Sequence, residues 1–325
     1  MENNLFESRT DLSTITDSIA GIKKEVGQII VGQEKLIDML ITALLAEGHV
    51  LLEGVPGVAK TLISKLLSRT LSISFSRIQF TPDMLPSDVL GTSIYKQSDN
   101  SFHFKKGPVF SNYVLIDEIN RAPAKTQSAL FEVMEERQIT VDGITYPLAR
   151  PFMIMATQNP LEQEGTYRLP EAQLDRFMFK IDVGYPSLEE EIEIINGFQS
   201  RKGDVNLETV KPLLTAEQLT EYQAMTRNVL IEEPLCRYIA QIVYATRNHT
   251  SLYLGASPRA SLAVVRASKA VALMNGRDFV VPDDIRFVLP EILNHRIVLS
   301  AEKEMEGMQA RQVVDQIVKG IEVPK

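Results

Sequence analysis

The chain has 325 residues, 44% of them apolar, which is enough to bury a core in each of two domains. Lys plus Arg number 34 against 42 Asp plus Glu, a formal net charge of −8, so there is no general electrostatic ground for binding nucleic acid or an anionic membrane. The single cysteine, Cys236, excludes an intramolecular disulfide, and no apolar run approaches the roughly 20 residues that a membrane-spanning helix needs.

Met1-Glu2-Asn3-Asn4 lacks the charged-then-apolar build of a secretory signal, and the expectation is a cytoplasmic protein. Cys236 is expected as a half-buried thiol. His49, His103, His249 and His295 are scattered without ligand spacing and are expected in packing or surface roles.

Leu12, Ile15, Ile19, Ile22, Val26 and Ile29-Ile30 recur near helical spacing and predict an amphipathic helix over 11–30. Val31-Gly32-Gln33 breaks it. A second helix is predicted over 34–47, apolar on one side through Leu36, Met39, Leu40, Ala43 and Leu44. Val50-Leu51-Leu52 then reads as a buried strand, and Gly54-Val55-Pro56-Gly57-Val58-Ala59-Lys60-Thr61 leads into the periodic segment that opens at Leu62.

Strand, glycine turn and helix in that order form a phosphate-binding loop, in which backbone N–H groups surround an anion at the positive end of the helix. Gly54 and Gly57 supply backbone freedom. Lys60 would reach the β- and γ-phosphates, and the Thr61 hydroxyl would ligate Mg²⁺. Ala59 departs from the usual glycine before the lysine. A chance match of this looseness in a chain this long is on the order of a few per cent.

Residues 74–80 alternate as a strand does, 83–91 with Pro86 suggest a short helix, and Ser93-Ile94-Tyr95-Lys96 and Ser101-Phe102-His103-Phe104-Lys105 flank a turn as in a β-hairpin. Tyr113-Val114-Leu115-Ile116-Asp117-Glu118 is a short apolar run ending in two acids. It reads as a buried parallel strand delivering carboxylates at its C-terminal end, where nucleotide sites of open α/β sheets lie. A helix over 125–136 follows, then a second hairpin in which Asp142-Gly143 between alternating segments signals a type I′ turn.

A further buried strand over 151–157 ends at Gln158-Asn159-Pro160, and Leu174-Asp175-Arg176-Phe177 leads into a last strand over 178–183. At Gly184-Tyr185-Pro186-Ser187 the pattern becomes helical with polar breaks and no convincing strand. The expected organisation is an α/β nucleotide-binding domain over 1–185, with hairpin inserts at about 92–106 and 138–147, and an α-helical domain over 186–325.

The phosphate loop, Asp117-Glu118-Ile119-Asn120-Arg121-Ala122, Ala156-Thr157-Gln158-Asn159-Pro160, Leu169-Pro170-Glu171-Ala172-Gln173-Leu174-Asp175-Arg176-Phe177 and Gly255-Ala256-Ser257-Pro258-Arg259-Ala260 together closely resemble the MoxR family of AAA+ ATPases, over about residues 15–322. Ala59 is common in that family, whereas Arg168 stands where relatives usually carry proline.

The resemblance implies an AAA+ P-loop NTPase: a parallel sheet flanked by helices, plus a C-terminal all-α lid. It implies a homo-oligomeric ring, usually a hexamer, with ATP and Mg²⁺ bound between neighbours and ADP as product. The hairpins resemble the helix-2 and pre-sensor-1 inserts of one AAA+ clade, which face a pore. Relatives act as chaperone-like remodelling or maturation factors on protein clients, often with a partner carrying a von Willebrand factor A domain.

By the same resemblance, Lys60 and an Mg²⁺ held by Thr61 and Asp117 neutralise phosphate charge, and Glu118 orients or deprotonates the attacking water. Asn159 is sensor 1, Arg176 the arginine finger with Arg168 as competitor, and Arg259 sensor 2. Val31 and Gly32 would touch adenine, and the run from Gly54 to Leu62 the phosphates. Each has a plainer reading: strand-end carboxylate, turn asparagine, surface arginine or helix break. A nucleic-acid motor is an alternative, opposed by the −8 charge and by inserts whose cations are chiefly Lys96, Lys105 and Lys106. An ATP-dependent assembly switch with little turnover is another.

Overall fold

The structure is a computed structural model that describes residues 12–54, 60–159, 166–167, 169–200, 207 and 210–324. The chain divides into two compact units, one over Ile22–Thr220 and one combining the chain up to Gly21 with Glu221–Lys325.

The first unit opens with α1 (Ser13–Gly27), shared across the division, and α2 (Glu34–Leu45), then β1 (Val50–Gly54), α3 (Lys60–Thr70) and β2 (Phe75–Gln79). The short α4 (Pro86–Leu90), β3 (Gly91–Lys96), β4 (Ser101–Lys106), β5 (Tyr113–Asp117) and α5 (Ala124–Glu136) follow. The unit continues through β6 (Gln138–Val141), β7 (Ile144–Pro147), β8 (Met153–Gln158), α6 (Glu171–Leu174), β9 (Phe179–Val183) and α7 (Leu188–Ser200). The elements expected from the sequence are present, with ends shifted by one to three residues. The first helix stops at Gly27 rather than continuing to residue 30.

Five strands form one sheet in the order β2-β5-β8-β1-β9, every neighbouring pair parallel. All five residues of β5 are buried, as a strand covered on both faces requires, which explains the unbroken apolar run Tyr113-Val114-Leu115-Ile116 before Asp117. Leu51, Val114, Ile116, Ile154 and Ala156 from the sheet pack with Leu130, Phe131 and Phe177 in one core. Phe131 and Phe177 meet edge-on at 5.9 Å, and each such side chain buried contributes about 1.5–3 kcal/mol.

His49 is buried, accepts a hydrogen bond at Nδ1 from the Ile154 amide (3.0 Å) and lies 3.1 Å from the Met134 carbonyl through Nε2. An amide can only donate, so the ring carries its proton on Nε2. This histidine ties two segments together in the packing role expected of it.

Both hairpins form. β3 and β4 pair over six positions from Gly91↔Lys106 to Lys96↔Ser101. Gly91 has φ +109, and a Cβ there would stand 2.3 Å from the Lys105 carbonyl oxygen, so only glycine fits. At the tip of β6–β7, Asp142 and Gly143 have φ 52 and 78, the left-handed pair that an Asp-Gly turn supplies. Phe104 of β4 stacks on Tyr146 of β7 with centroids 4.6 Å apart, and the Ser93 hydroxyl donates to Asp142 Oδ2. Two inserts far apart in sequence are thus fastened to each other.

The second unit contains most of α8 (Ala216–Asn228), with α9 (Glu233–Thr246), β10 (Leu252–Leu254), α10 (Pro258–Met274), α11 (Pro282–Leu293), β11 (Val298–Leu299), α12 (Ala301–Met305) and α13 (Ala310–Gly320). It is helical as expected apart from β10 and β11, which pair antiparallel where no strand was read. With three and two residues, these strands are too short for an alternating pattern to show. Arg277 makes a bidentate pair with Asp284 (2.8 and 2.6 Å), and Asp284 Oδ2 also accepts from the Val281 amide, capping α11.

Cys236 is exposed rather than half-buried. α9 turns Leu235, Tyr238, Ile239, Ile242 and Val243 inward, and one residue past Leu235 is a rotation of about 100° away from that face. α7 falls in the first unit, where its Glu190 carboxylate lies against Gly32.

Candidate nucleotide-binding site

Because β8 lies between β1 and β5, the C-terminal ends of these strands are adjacent and bring Gly54, Asp117 and Asn159 to one end of the sheet. Gly54 is required by close passage: a Cβ there would stand 2.4 Å from the Val183 carbonyl oxygen of β9. Val55, Pro56, Gly57, Val58 and Ala59 lie outside the described residues. Lys60, Thr61 and Leu62 form the first turn of α3, all half-buried.

Lys60 Nζ donates to the Gly54 carbonyl at 2.6 Å. Burial holds the ammonium below the ordinary lysine range, opposed by the charges of Asp117, Glu118 and Glu53. The lysine and both acids of the β5 end are therefore close enough to interact electrostatically.

Asp117 is only 7% exposed. Its Oδ2 accepts from Arg77 Nε at 2.6 Å and its Oδ1 from the Thr157 hydroxyl at 3.2 Å. The same Thr157 oxygen accepts from the Glu118 amide at 3.0 Å, so one hydroxyl of β8 fixes both acids. Glu118 has φ 58 and ψ 54, a left-handed conformation that costs a non-glycine residue about 1–2 kcal/mol. That turn directs its carboxylate to Gln79 Nε2 at 2.6 Å and to Arg121 Nε at 2.9 Å.

Arg77, Gln79, Arg121 and Thr157 are absent from the sequence-derived set. Arg77 and Gln79 flank the buried Ile78 and so share a face of β2. The alternation Arg77-Ile78-Gln79 is visible in sequence, but its meaning depends on β2 lying beside β5 with Gln79 opposite Asp117. Asn159 follows β8 and is 8% exposed.

Arg176 Nη1 donates to the Phe131 carbonyl at 2.7 Å and pairs with Glu135 at 3.0 Å, both on α5 of its own chain. Arg168 lies outside the described residues. Arg259 is exposed in the first turn of α10, in the other unit.

Val31 and Gly32 line a cavity of about 440 Å³ together with Lys23, Ile30, Ile37 and Glu193. Gly32 has φ +72, and a Cβ there would meet Glu190 Oε1 at 2.1 Å. The Glu190 carboxylate is held by the Ser187 amide at 2.7 Å, and Ser187 Oγ accepts from the Glu190 amide at 3.3 Å, a capping box at the start of α7.

A parallel sheet in which β1 precedes a lysine-bearing helix and β5, one strand away across β8, ends at an aspartate followed by a glutamate is the core of a P-loop nucleotide hydrolase. A family model described as "ATPase family associated with various cellular activities (AAA)" matches residues 49–179, and one described as "AAA lid domain" matches 244–317. The protein is an AAA+ ATPase, binding nucleotide and hydrolysing ATP.

Protein YeaC of Bacillus subtilis (strain 168) is 47% identical over 93% of both chains. Chaperone MoxR1 of Mycobacterium tuberculosis is 46% identical over 93% of this chain and 81% of that one. A crystal structure of a Cytophaga hutchinsonii protein, 45% identical, superposes with a TM-score of 0.88 over 95% of this chain and 96% of that one. The chain belongs to the MoxR family of AAA+ ATPases.

Proposed function

We propose that this chain is the subunit of a ring-forming, Mg²⁺-dependent ATPase, a hexamer in its working state, that remodels or matures protein clients in the cytoplasm. The observation that carries the reading is the convergence of Lys60, Asp117 and Glu118 at one end of the sheet, with Thr157 fixing both acids. The name of the relative Chaperone MoxR1 supports protein rather than nucleic acid as client, as does the net charge of −8. A partner with a von Willebrand factor A domain belongs to the same reading through the family resemblance.

The residues present fit the cofactor: the Asp117 carboxylate and the Thr61 hydroxyl are hard oxygen donors of the kind Mg²⁺ prefers. When bound, that ion neutralises charge on the phosphates. Lys60 exchanges its hold on the Gly54 carbonyl for the phosphates. Glu118, aimed by its left-handed backbone, orients the water and draws its proton.

Asn159 steadies the same water or the γ-phosphate. Val31 and Gly32 hold adenine, and Arg259 in the lid domain, 186–325, closes over the phosphates of its own subunit. Arg176 acts on a neighbour's site after leaving Phe131 and Glu135, with Arg168 as alternative.

Phosphate release from Mg-ATP, measured across a wide range of protein concentration and expressed per subunit, tests this. Specific activity is expected to climb with concentration as subunits complete each other's sites. Hydrolysis that is flat down to concentrations where the protein is monomeric would remove the shared-site mechanism. ATP binding with assembly but no turnover would favour the assembly-switch reading.

A further inference from the structure

Asp117 faces two partners with different chemistry. Thr157 is neutral and buried, whereas Arg77 is a cation on the edge strand β2, 48% exposed, touching Asp117 through a single Nε–H at 2.6 Å. The guanidinium therefore neutralises a nearly buried carboxylate and still has an open side toward which it can leave.

Resting on the reading that Asp117 holds Mg²⁺, we propose that Arg77 is a positioning residue that competes with the divalent cation for Asp117. It keeps the carboxylate in place and charge-compensated without metal, and weakens metal binding until nucleotide phosphates add their negative charge. The physical ground is like-charge repulsion. A dication at Asp117 would sit within a few ångströms of the guanidinium while Lys60 already contributes positive charge nearby. Metal alone adds two further positive charges to those of Arg77 and Lys60, whereas metal with a polyphosphate arrives with net negative charge. The consequence is ordered binding, in which the ion enters with the nucleotide and leaves with it.

The test adds Mn²⁺, a spectroscopic substitute for Mg²⁺, to wild type, Arg77→Gln and Arg77→Lys, each with and without ADP, and follows the free-ion electron paramagnetic resonance signal. Arg77→Gln keeps a hydrogen-bond donor and removes the charge, while Arg77→Lys restores the charge. Wild type is expected to hold Mn²⁺ only with ADP. Arg77→Gln should bind at least tenfold more tightly with ADP and measurably without it, and Arg77→Lys should return close to wild type. Metal-free binding of a fluorescent ADP in EDTA verifies that each variant is folded.

Unchanged or weaker Mn²⁺ binding in Arg77→Gln overturns the competition. If wild type with ADP holds no Mn²⁺, the metal-dependent site of the proposed function fails and this inference with it. The wild-type measurement alone separates that failure from the first.

Discussion

The acid cluster at the end of the sheet and the pair of hairpins are built on opposite terms. At the sheet end, the acids are held by partners on neighbouring strands or turns: Thr157 serves Asp117 and the Glu118 amide, Arg77 serves Asp117, and Gln79 and Arg121 meet the Glu118 carboxylate. At the hairpins, large apolar side chains stand in solvent: Phe102 is 71% exposed, Tyr95 across from it and Ile94 on the same hairpin are exposed, and so is Ile144 on the other. The first region sacrifices backbone comfort at Glu118 to fix two carboxylates. The second leaves apolar surface uncovered, which a stable domain does not need and an interaction surface does. The difference separates a region that must hold still from one that must meet something.

The sharpest test of the first half is Glu118→Gln. Gln keeps the size and can still meet Arg121 through its carbonyl, so ATP binding is expected to survive while turnover falls about 10²–10⁴-fold, the usual weight of a general base. Binding of a fluorescent ATP analogue measured beside phosphate release decides it. A variant with full turnover would remove Glu118 from the chemistry.

Thr157→Val comes next in size. Valine matches the shape of threonine but leaves the Glu118 amide and Asp117 Oδ1 without that partner, a loss of about 1–3 kcal/mol in denaturant unfolding. Turnover should drop by roughly ten- to a hundredfold as Glu118 relaxes from its left-handed conformation. Unfolding that is unchanged would mean the two acids are fixed by β2 and Arg121 without Thr157.

This region also marks the limit of what sequence discloses. Gly54, Lys60, Asp117 and Glu118 were legible because their neighbours in sequence signal a strand end or a helix start. The phosphate loop and the two-acid strand are local patterns. Arg77, Gln79 and Thr157 act across strands, and their part depends on the order β2-β5-β8-β1-β9, which no local pattern encodes.

The hairpins were legible for the same reason: alternation and an Asp-Gly turn are local signals. That Phe104 and Tyr146 stack, 42 residues apart, was not. Arg176 shows the same limit, since its hold on Phe131 and Glu135 follows from tertiary packing alone.

The Phe104–Tyr146 stack sets the scale at which the hairpins act as one piece. A double-mutant cycle with Phe104→Ala and Tyr146→Ala is expected to give a coupling of about 0.5–1.5 kcal/mol in unfolding free energy. Additive effects would show that the inserts are fastened only through Ser93 and Asp142.

The smallest effect on stability, and the one that bears most on function, is expected at Phe102. Its ring meets Tyr95 at 5.3 Å across the β3–β4 ladder and is otherwise in water, so Phe102→Ser should alter unfolding by no more than about 0.5 kcal/mol. Basal turnover should also stay, because Phe102 belongs to a two-stranded sheet separate from the one that carries Asp117. What should disappear is any increase in turnover that an unfolded polypeptide produces in wild type.

If the stimulated fraction survives while basal activity falls, Phe102 supports the site and not a client. The contrast between a fixed chemical end and an exposed contact end then breaks at its most exposed residue. If the stimulated fraction is lost alone, apolar exposure at the hairpin tip has a purpose that the fold itself does not supply.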